Sequence, residues 1–374
     1  MMKNILLHVH IFKNAGSSFD DALSHFFKDA FVDHREDEAL RKGKMSYLTE
    51  YFDKHPKIEA FSSHSIYFMP ENTEKYSFHP VYFLRHPVDR IRSVYSFEKK
   101  QMPAITQGAI KAKELCFEDY VAWYMQDDAP ATIRNVQTIF LSGGGAAPSK
   151  MNEKFTVALE NLKQTPCIGV VDRYDESMVV FEEYLKAFFP GIDLSYIRRN
   201  VTDNRFEVTV GEKAEKLLDQ LDVSLRKIVL EKNALDFKLY REANEQLDTK
   251  IKNIPNFAEK LQNFQDRCVL RHIKQEDHSQ TVTLLEPLVQ RSSNNVNVYL
   301  ALANAYKHLK QYNQSLNTYE QAMKNFPNNP WAYFHQAEMY GLMGEKEKAE
   351  QLFKMYAVQF SGHENVIAAF KRLG

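Results

Sequence analysis

Ile5-Leu6-Leu7-His8-Val9-His10-Ile11-Phe12-Lys13-Asn14-Ala15-Gly16-Ser17-Ser18 opens the chain, and its reading decides the fold. An apolar run interrupted only by two histidines is too short to span a membrane, and it reads as a buried strand over residues 5–11. Phe19, Ala22, Leu23, Phe26 and Phe27 then recur at helical spacing, which predicts a helix starting just after Ser17-Ser18. Asp20 and Asp21 are expected in its first turn, where the helix dipole favours acids. A strand running through a tight turn into a helix aims backbone N–H groups at one point, which makes an anion site. Gly16 permits close backbone approach, Ser17 and Ser18 add hydroxyls, and Lys13 brings a charge. The order of lysine and glycine is not that of a Walker A loop, which weakens a nucleotide kinase or NTPase reading.

Outward from this stretch, further buried strands are expected at 80–85 and 167–171. Helices are expected from Pro87 through Tyr95, and over Met178, Phe181, Leu185 and Phe188. Strand and helix alternate, so the sheet should be largely parallel and covered on both faces. Beyond about residue 210 the pattern is helical throughout. Tyr299, Ala303, Tyr306, Ser315 and Tyr319 recur 34 residues later as Tyr333, Ala337, Tyr340, Ala349 and Phe353, with Pro327-Asn328-Asn329-Pro330 at the join. Val269, Thr281 and Leu285 form a weaker copy one period earlier. This spacing resembles tetratricopeptide repeats, whose small residues let paired helices approach closely.

Composition narrows the function. A formal net charge of -1 argues against bulk nucleic-acid binding, so any anionic ligand needs a local cluster. Cys116, Cys167 and Cys268 are scattered and odd in number, which fits a reducing compartment and offers no metal pattern. With no leader-like or spanning segment read from the sequence, a cytoplasmic protein is expected.

A second motif is Phe83-Leu84-Arg85-His86-Pro87-Val88-Asp89-Arg90-Ile91-Arg92-Ser93. Arg85 at a strand end and Ser93 on the following helix can converge on one phosphate, since guanidinium presents a planar fork to phosphate oxygens. Arg90 and Arg92 read as surface residues of that helix. Together the two motifs resemble the 5′-phosphosulfate loop and the 3′-phosphate motif of the sulfotransferases that use 3′-phosphoadenosine 5′-phosphosulfate. The carbohydrate branch, including the uronyl 2-O-sulfotransferases, is the nearest in pattern. Its loop commonly reads His-Ile-Pro-Lys-Thr-Ala-Gly-Thr-Ser, and here Phe12 and Asn14 replace the proline and a threonine. Asn135-Val136-Gln137-Thr138, Gly169 to Ser177 and Asp236 to Tyr240 are similar to further family segments, so the resemblance covers about residues 1–245.

The resemblance implies a parallel-sheet, P-loop-like sulfotransferase domain over residues 1–250, followed by an all-α tetratricopeptide-type array over 251–374 with a capping C-terminal helix. It implies that Lys13, Asn14, Ala15, Gly16, Ser17, Ser18, Arg85, Ser93 and Arg173 bind the nucleotide cosubstrate, without a metal. His64, in Phe61-Ser62-Ser63-His64, stands where the family has its catalytic histidine, with Lys13 as the second catalytic group. Ser62 stands where the uronyl enzymes have another histidine. Glu98 or an acid in the 117–128 segment is next in line as a base. A saccharide hydroxyl is the expected acceptor, with a peptide tyrosine, lipid or small metabolite as alternatives. Lys99, Lys100, Arg134, Asn135 and Gln137, with Tyr67, Phe68 and Tyr95, are candidates to line the acceptor cleft. The repeats are expected to hold a protein or peptide. The rival of another class is a non-catalytic repeat scaffold with a vestigial nucleotide domain.

Overall fold

A computed structural model describes residues 2–144, 150–197, 209–273, 277–362 and 368. The capping segment expected at the C-terminus lies, apart from Ala368, outside the described residues. The chain divides into two compact units, Met1–Pro255 and Asn256–Gly374.

The first unit is built on five parallel strands: β1 (Lys3–Val9), β2 (Phe31–Asp33), β3 (Ala60–Ser63), β4 (Tyr76–Leu84) and β5 (Cys167–Val170), in the order β2-β3-β1-β4-β5. Its helices are α1 (Gly16–Phe27), α2 (Asp37–Lys54), α3 (Pro87–Lys100), α4 (Gln107–Glu114), α5 (Phe117–Tyr124), α6 (Val136–Leu141), α7 (Met151–Gln164), α8 (Tyr174–Leu185), α9 (Val210–Leu218), α10 (Val223–Lys232) and α11 (Ala234–Lys252). Residues 5–9 of β1 and every residue of β3 and β5 are buried, as expected of a sheet covered on both faces. The chain leaves β1 toward β2 on one side and later returns to β4 on the other. The ends of β1 and β4 therefore flank the point where strand order reverses, which is where open α/β sheets open a crevice.

Three expectations need correction. The strand expected at 80–85 begins at Tyr76 and runs through Pro80, a residue that ordinarily marks a strand's start or edge. Strand β3 has no apolar signature because Ser62 and Ser63 form half of it, yet both are fully buried. Helix α1 begins at Gly16, so Ser17 and Ser18 lie in its first turn and no acid does.

One buried side chain ties the ends of β1 and β4 together. Gln137, at the start of α6, accepts from Asn14 Nδ2 at 2.8 Å and from the Arg85 N–H at 2.8 Å, and donates to the Arg85 carbonyl at 3.0 Å. Asp236 holds α6 in place by accepting from the N–H groups of Gln137 (3.1 Å) and Thr138 (2.8 Å). In return Asn135 Oδ1 accepts from the N–H groups of Leu235 and Asp236 at the start of α11. Each helix thus satisfies the other's orphan N–H groups. Arg90 completes the frame. It is 2% exposed and donates to the carbonyls of Phe12 (3.1 Å) and Thr132 (2.7 Å), so it is no surface residue. Arg92 is exposed, with its guanidinium over the Phe117 ring.

The second unit is a series of helix pairs: α12 (Phe257–Arg271) with α13 (His278–Gln290), α14 (Val296–His308) with α15 (Tyr312–Asn325), and α16 (Pro330–Leu342) with α17 (Lys346–Gln359). Ala303 and Ala337 are fully buried where the period predicts small residues, and Ser315 Oγ donates to the Ala303 carbonyl at 2.8 Å.

Gln137→Leu keeps the volume and removes the amide. It strands the Arg85 N–H and carbonyl, and each buried group left unpaired costs about 1–3 kcal/mol. Denaturant unfolding of the variant should show a loss of roughly 3 kcal/mol. A loss below about 0.5 kcal/mol, the usual range for a surface substitution, would show that the network is not a structural tie.

Candidate active site

The loop between β1 and α1 has two residues with positive φ, Lys13 (64°) and Ala15 (60°), outside glycine. These left-handed residues turn the chain sharply enough for the first N–H groups of α1 to face the end of the sheet. Ser17 is exposed and Ser18 half-buried there. Gly16 is required for a different reason from the one its motif suggests. A Cβ on it would sit 2.2 Å from the His10 ring, so its missing side chain makes room for an imidazole.

Lys13 and Arg85 are brought together. Arg85 Nη1 donates to the Lys13 carbonyl at 2.9 Å, and Lys13 Nζ lies 4.6 Å from the centre of the Phe97 ring. Burial, then the charges of Arg85, Arg90 and Lys100, lower the Lys13 pKa. A bound anion would relieve that crowding of cations. Arg85 Nε donates to Asp89 at 2.6 Å, so an internal carboxylate already engages the guanidinium. Ser93, half-buried, stands one helical turn beyond Asp89 on the same face.

Two of the expected ligands face elsewhere. Asn14 is buried, and its amide donates to the Phe83 carbonyl (2.7 Å) and to Gln137, while its own N–H goes to Ile11. Its donors are spent inside the protein, which makes it a brace rather than a nucleotide ligand. Arg173 donates to Glu176 (2.5 Å) and to Asp248 (2.6 Å), tying the turn after β5 to α8 and α11.

His64 follows β3 immediately. Its Nδ1 lies 2.7 Å from the His10 carbonyl, and the two rings are 3.8 Å apart at their centres. A carbonyl can only accept, so Nδ1 carries the proton and Nε2 is left with its lone pair. Burial, then the neighbouring His10, push the His64 pKa down to about 4, so the ring is neutral at pH 7. Sequence reasoning missed what lies behind it. His8 Nδ1 meets Asp20 Oδ1 at 2.7 Å and Ser62 Oγ at 3.0 Å, and His10 Nδ1 stands 3.1 Å from Asp20 Oδ2. These donors lie within 4.8 Å of one another, a set that could attract a cation. The 2.7 Å separation is that of a hydrogen bond between His8 and Asp20, whereas the buried Nδ1 of His10 has no hydrogen-bond partner. The signal was the spacing of His8, His10 and Asp20, since a strand alternates its side chains and a helix returns to one face within a turn.

Next to His64 along the chain, Ser65 opens onto a cleft of about 520 Å³ lined by Arg41, Lys44, Tyr67, Phe68, Thr132 and Phe140, among others. Tyr67 packs against Phe140 with ring centres 4.2 Å apart and the rings tilted by 33°, and the Arg41 guanidinium lies 5.6 Å from the Tyr67 ring centre. Of the residues expected to line an acceptor cleft, Tyr67 and Phe68 line this one. The other proposed lining residues are not in this cleft. Lys99 is folded onto the hydroxyl of buried Tyr95, Arg134 donates to the Ala129 carbonyl, and Asn135 and Gln137 belong to the buried frame. Glu98 accepts from Tyr120 (2.6 Å) and Tyr124 (3.2 Å) in the interior, which removes it as a base.

Comparison with known proteins follows this geometry. A sulfotransferase family model matches residues 2–241, more than half of the chain, and tetratricopeptide repeat models match residues 297–329 and 318–351. An uncharacterized protein of Archaeoglobus fulgidus is 28% identical over 245 residues, which is 64% of this chain and 96% of that one. A signal transduction ATPase with numerous domains and a tetratricopeptide repeat sensor, from Pyrococcus horikoshii, aligns over 99% of this chain and 82% of its own at 12% identity. Its TM-score of 0.24 is too low to bear on the fold. Among the described residues no helix is long and apolar enough to cross a membrane. With a family match over residues 2–241 of the first unit, the chain belongs to the sulfotransferase family and carries tetratricopeptide repeats behind that domain.

Proposed function

We propose that this protein moves a sulfuryl group from 3′-phosphoadenosine 5′-phosphosulfate to a saccharide hydroxyl, with His64 as general base. The observation that carries the reading is the His64 Nδ1 contact with the His10 carbonyl at 2.7 Å, which leaves Nε2 as a proton acceptor beside an anion loop. The acceptor oxygen forms a new bond to sulfur as the bond from sulfur to the bridging phosphate oxygen breaks. The acceptor proton passes to His64 Nε2, and the electron pair leaves on adenosine 3′,5′-bisphosphate. Lys13 offsets charge growing on the bridging oxygen, as preorganised cations do in phosphoryl transfer. The N–H groups of Gly16 and Ser17 and the hydroxyls of Ser17 and Ser18 hold the 5′-phosphate.

Arg85 and Ser93 hold the 3′-phosphate. Of the Arg85 nitrogens, Nε and Nη1 are engaged by Asp89 and Lys13, so Nη2 is the edge a phosphate would meet. The aromatic wall of Tyr67, Phe68 and Phe140 suits the face of a sugar, and Arg41 and Lys44 suit an acidic group on it. We assign to the repeats the recruitment of a protein or peptide partner.

Calorimetry separates the rival classes. The bisphosphate should bind and ATP with magnesium should not, whereas a vestigial scaffold would bind neither. Arg85→Ala should weaken the bisphosphate by about 1.5–3 kcal/mol and hardly affect its 3′-dephospho analogue. Equal losses would show that Arg85 does not read the 3′-phosphate.

His64→Ala should lower turnover on the order of 10²–10⁴-fold with nucleotide affinity kept, because the base acts on the acceptor. The base works only when neutral, so kcat/KM should hold as pH falls and drop only near pH 4. An acid limb at the ordinary histidine value of about 6.5 would contradict the assigned base.

Replacing Arg41 and Lys44 together with glutamate should raise KM for an anionic saccharide and leave a neutral phenol unaffected. Should sulfate pass to phenols, tyrosyl peptides or lipids and to no glycan, the saccharide assignment fails while sulfuryl transfer stands.

A further inference from the structure

Two histidines and an aspartate with no part in the chemistry above are buried together at the end of β1. His8 and His10 stand two residues apart, so their side chains share one face of the extended chain. Their rings stack with centres 4.9 Å apart and an interplanar angle of 22°. Both Nδ1 atoms face one carboxylate of α1, His8 at 2.7 Å from Asp20 Oδ1 and His10 at 3.1 Å from Oδ2. Ser62, opposite His8 in the register of β1 and β3, puts its Oγ 3.0 Å from the same His8 nitrogen.

His10 is the informative member. It is only 7% exposed, and its buried Nδ1 has no hydrogen-bond partner, although Asp20 is within reach in distance. A buried nitrogen left unpaired in this way calls for an explanation. Donors that share a metal ion aim their lone pairs at a common point and not at one another. With metal–ligand bonds of about 2.0–2.2 Å, neighbouring donor atoms fall about 3–3.5 Å apart. The His10 to Asp20 separation lies in that range, and a shared ion accounts for the missing alignment. The His8 contact is a hydrogen bond, and an ion would take the place of its proton.

We propose that His8 Nδ1, His10 Nδ1 and Asp20 form a binding site for one divalent transition metal ion of the zinc type, with Ser62 Oγ as fourth donor. Two imidazoles and a single carboxylate select such an ion over magnesium or calcium, which take oxygen donors. His8, His10 and Ser62 are buried and the Asp20 side chain is 15% exposed, so the site offers no open position to a substrate. Its role is to hold: the ion fastens β1, β3 and α1 together on either side of the anion loop. A brace of hydrogen bonds alone would bind no metal. The site stands apart from the reading of His64 as a base, because its readout is binding.

The test uses the full chain, stripped with a chelator and titrated with Co²⁺ alone and with Zn²⁺ alone. One equivalent of Co²⁺ should bind and give visible d–d absorption, and Zn²⁺ should displace it. Zn²⁺ should also raise the melting temperature, as a ligand of the folded state does. His10→Ala and Asp20→Asn should each weaken Zn²⁺ binding by more than the roughly 10–100-fold that loss of an outer-shell partner costs. His278→Ala and His308→Ala, which remove a stacked pair in the second unit, should leave it unchanged. Where the buried variants do not fold, wild-type crystals soaked in Zn²⁺ and measured at the zinc edge decide the matter. An anomalous peak among His8, His10 and Asp20 supports the site. A peak elsewhere, no saturable binding by the wild type, or wild-type affinity in His10→Ala overturns it.

Discussion

The structure of the first unit depends on a single buried amide. Gln137 has two hydrogen-bonding ends, and it uses them on Asn14 of the first loop and on both main-chain groups of Arg85 after β4. These two segments carry the cations of the site, and nothing in a parallel sheet alone would hold their ends in register. Asp236 fixes Gln137 in turn, so a residue of α11 reaches the anion loop through two hydrogen-bonded steps. Burial raises the Asp236 pKa, and the N–H groups of Thr138 and Gln137 are what favour its charged form. Polar networks of this kind are costly when half satisfied and rigid when complete. Here the rigidity keeps like charges close together before any ligand arrives.

Much of this was legible in the sequence, but with roles exchanged. Periodicity placed β1, α1, α3, α8 and the repeats, because those segments bury long apolar faces. It missed β3, where two serines are buried by their neighbours and have no apolar pattern to show. The family segment at 135–138 looks like part of an acceptor cleft when read as text, and the one at 236–240 like a motif that closes the domain. In the fold they cap one another's helices, a relation between residues some hundred positions apart that no local pattern carries. Arg90 was misplaced for a similar reason. A guanidinium reads as surface until two carbonyls are found waiting for it. Lys13, Arg85 and His64 were singled out in the sequence just beyond expected strands or between the two motifs, and in the fold they follow β1, β4 and β3.

The cleft beside Ser65 shows the limit more sharply. Its aromatic residues Tyr67 and Phe68 follow His64 in the chain. Its cations, Arg41 and Lys44, come from α2, where Lys44 itself adopts a left-handed conformation (φ 47°) and breaks the helix. A helix interrupted at a charged residue gives no sign in sequence of what that charge will face.

Gly16 has a consequence beyond the turn it permits. The space of its absent side chain is filled by His10, and His10 also bears on Asp20 and His64. The loop after β1 and the ring of His64 are therefore not separable modules. A side chain added at residue 16 would first have to relocate an imidazole, and with it the face against which His64 packs. Loop and imidazole can change only together.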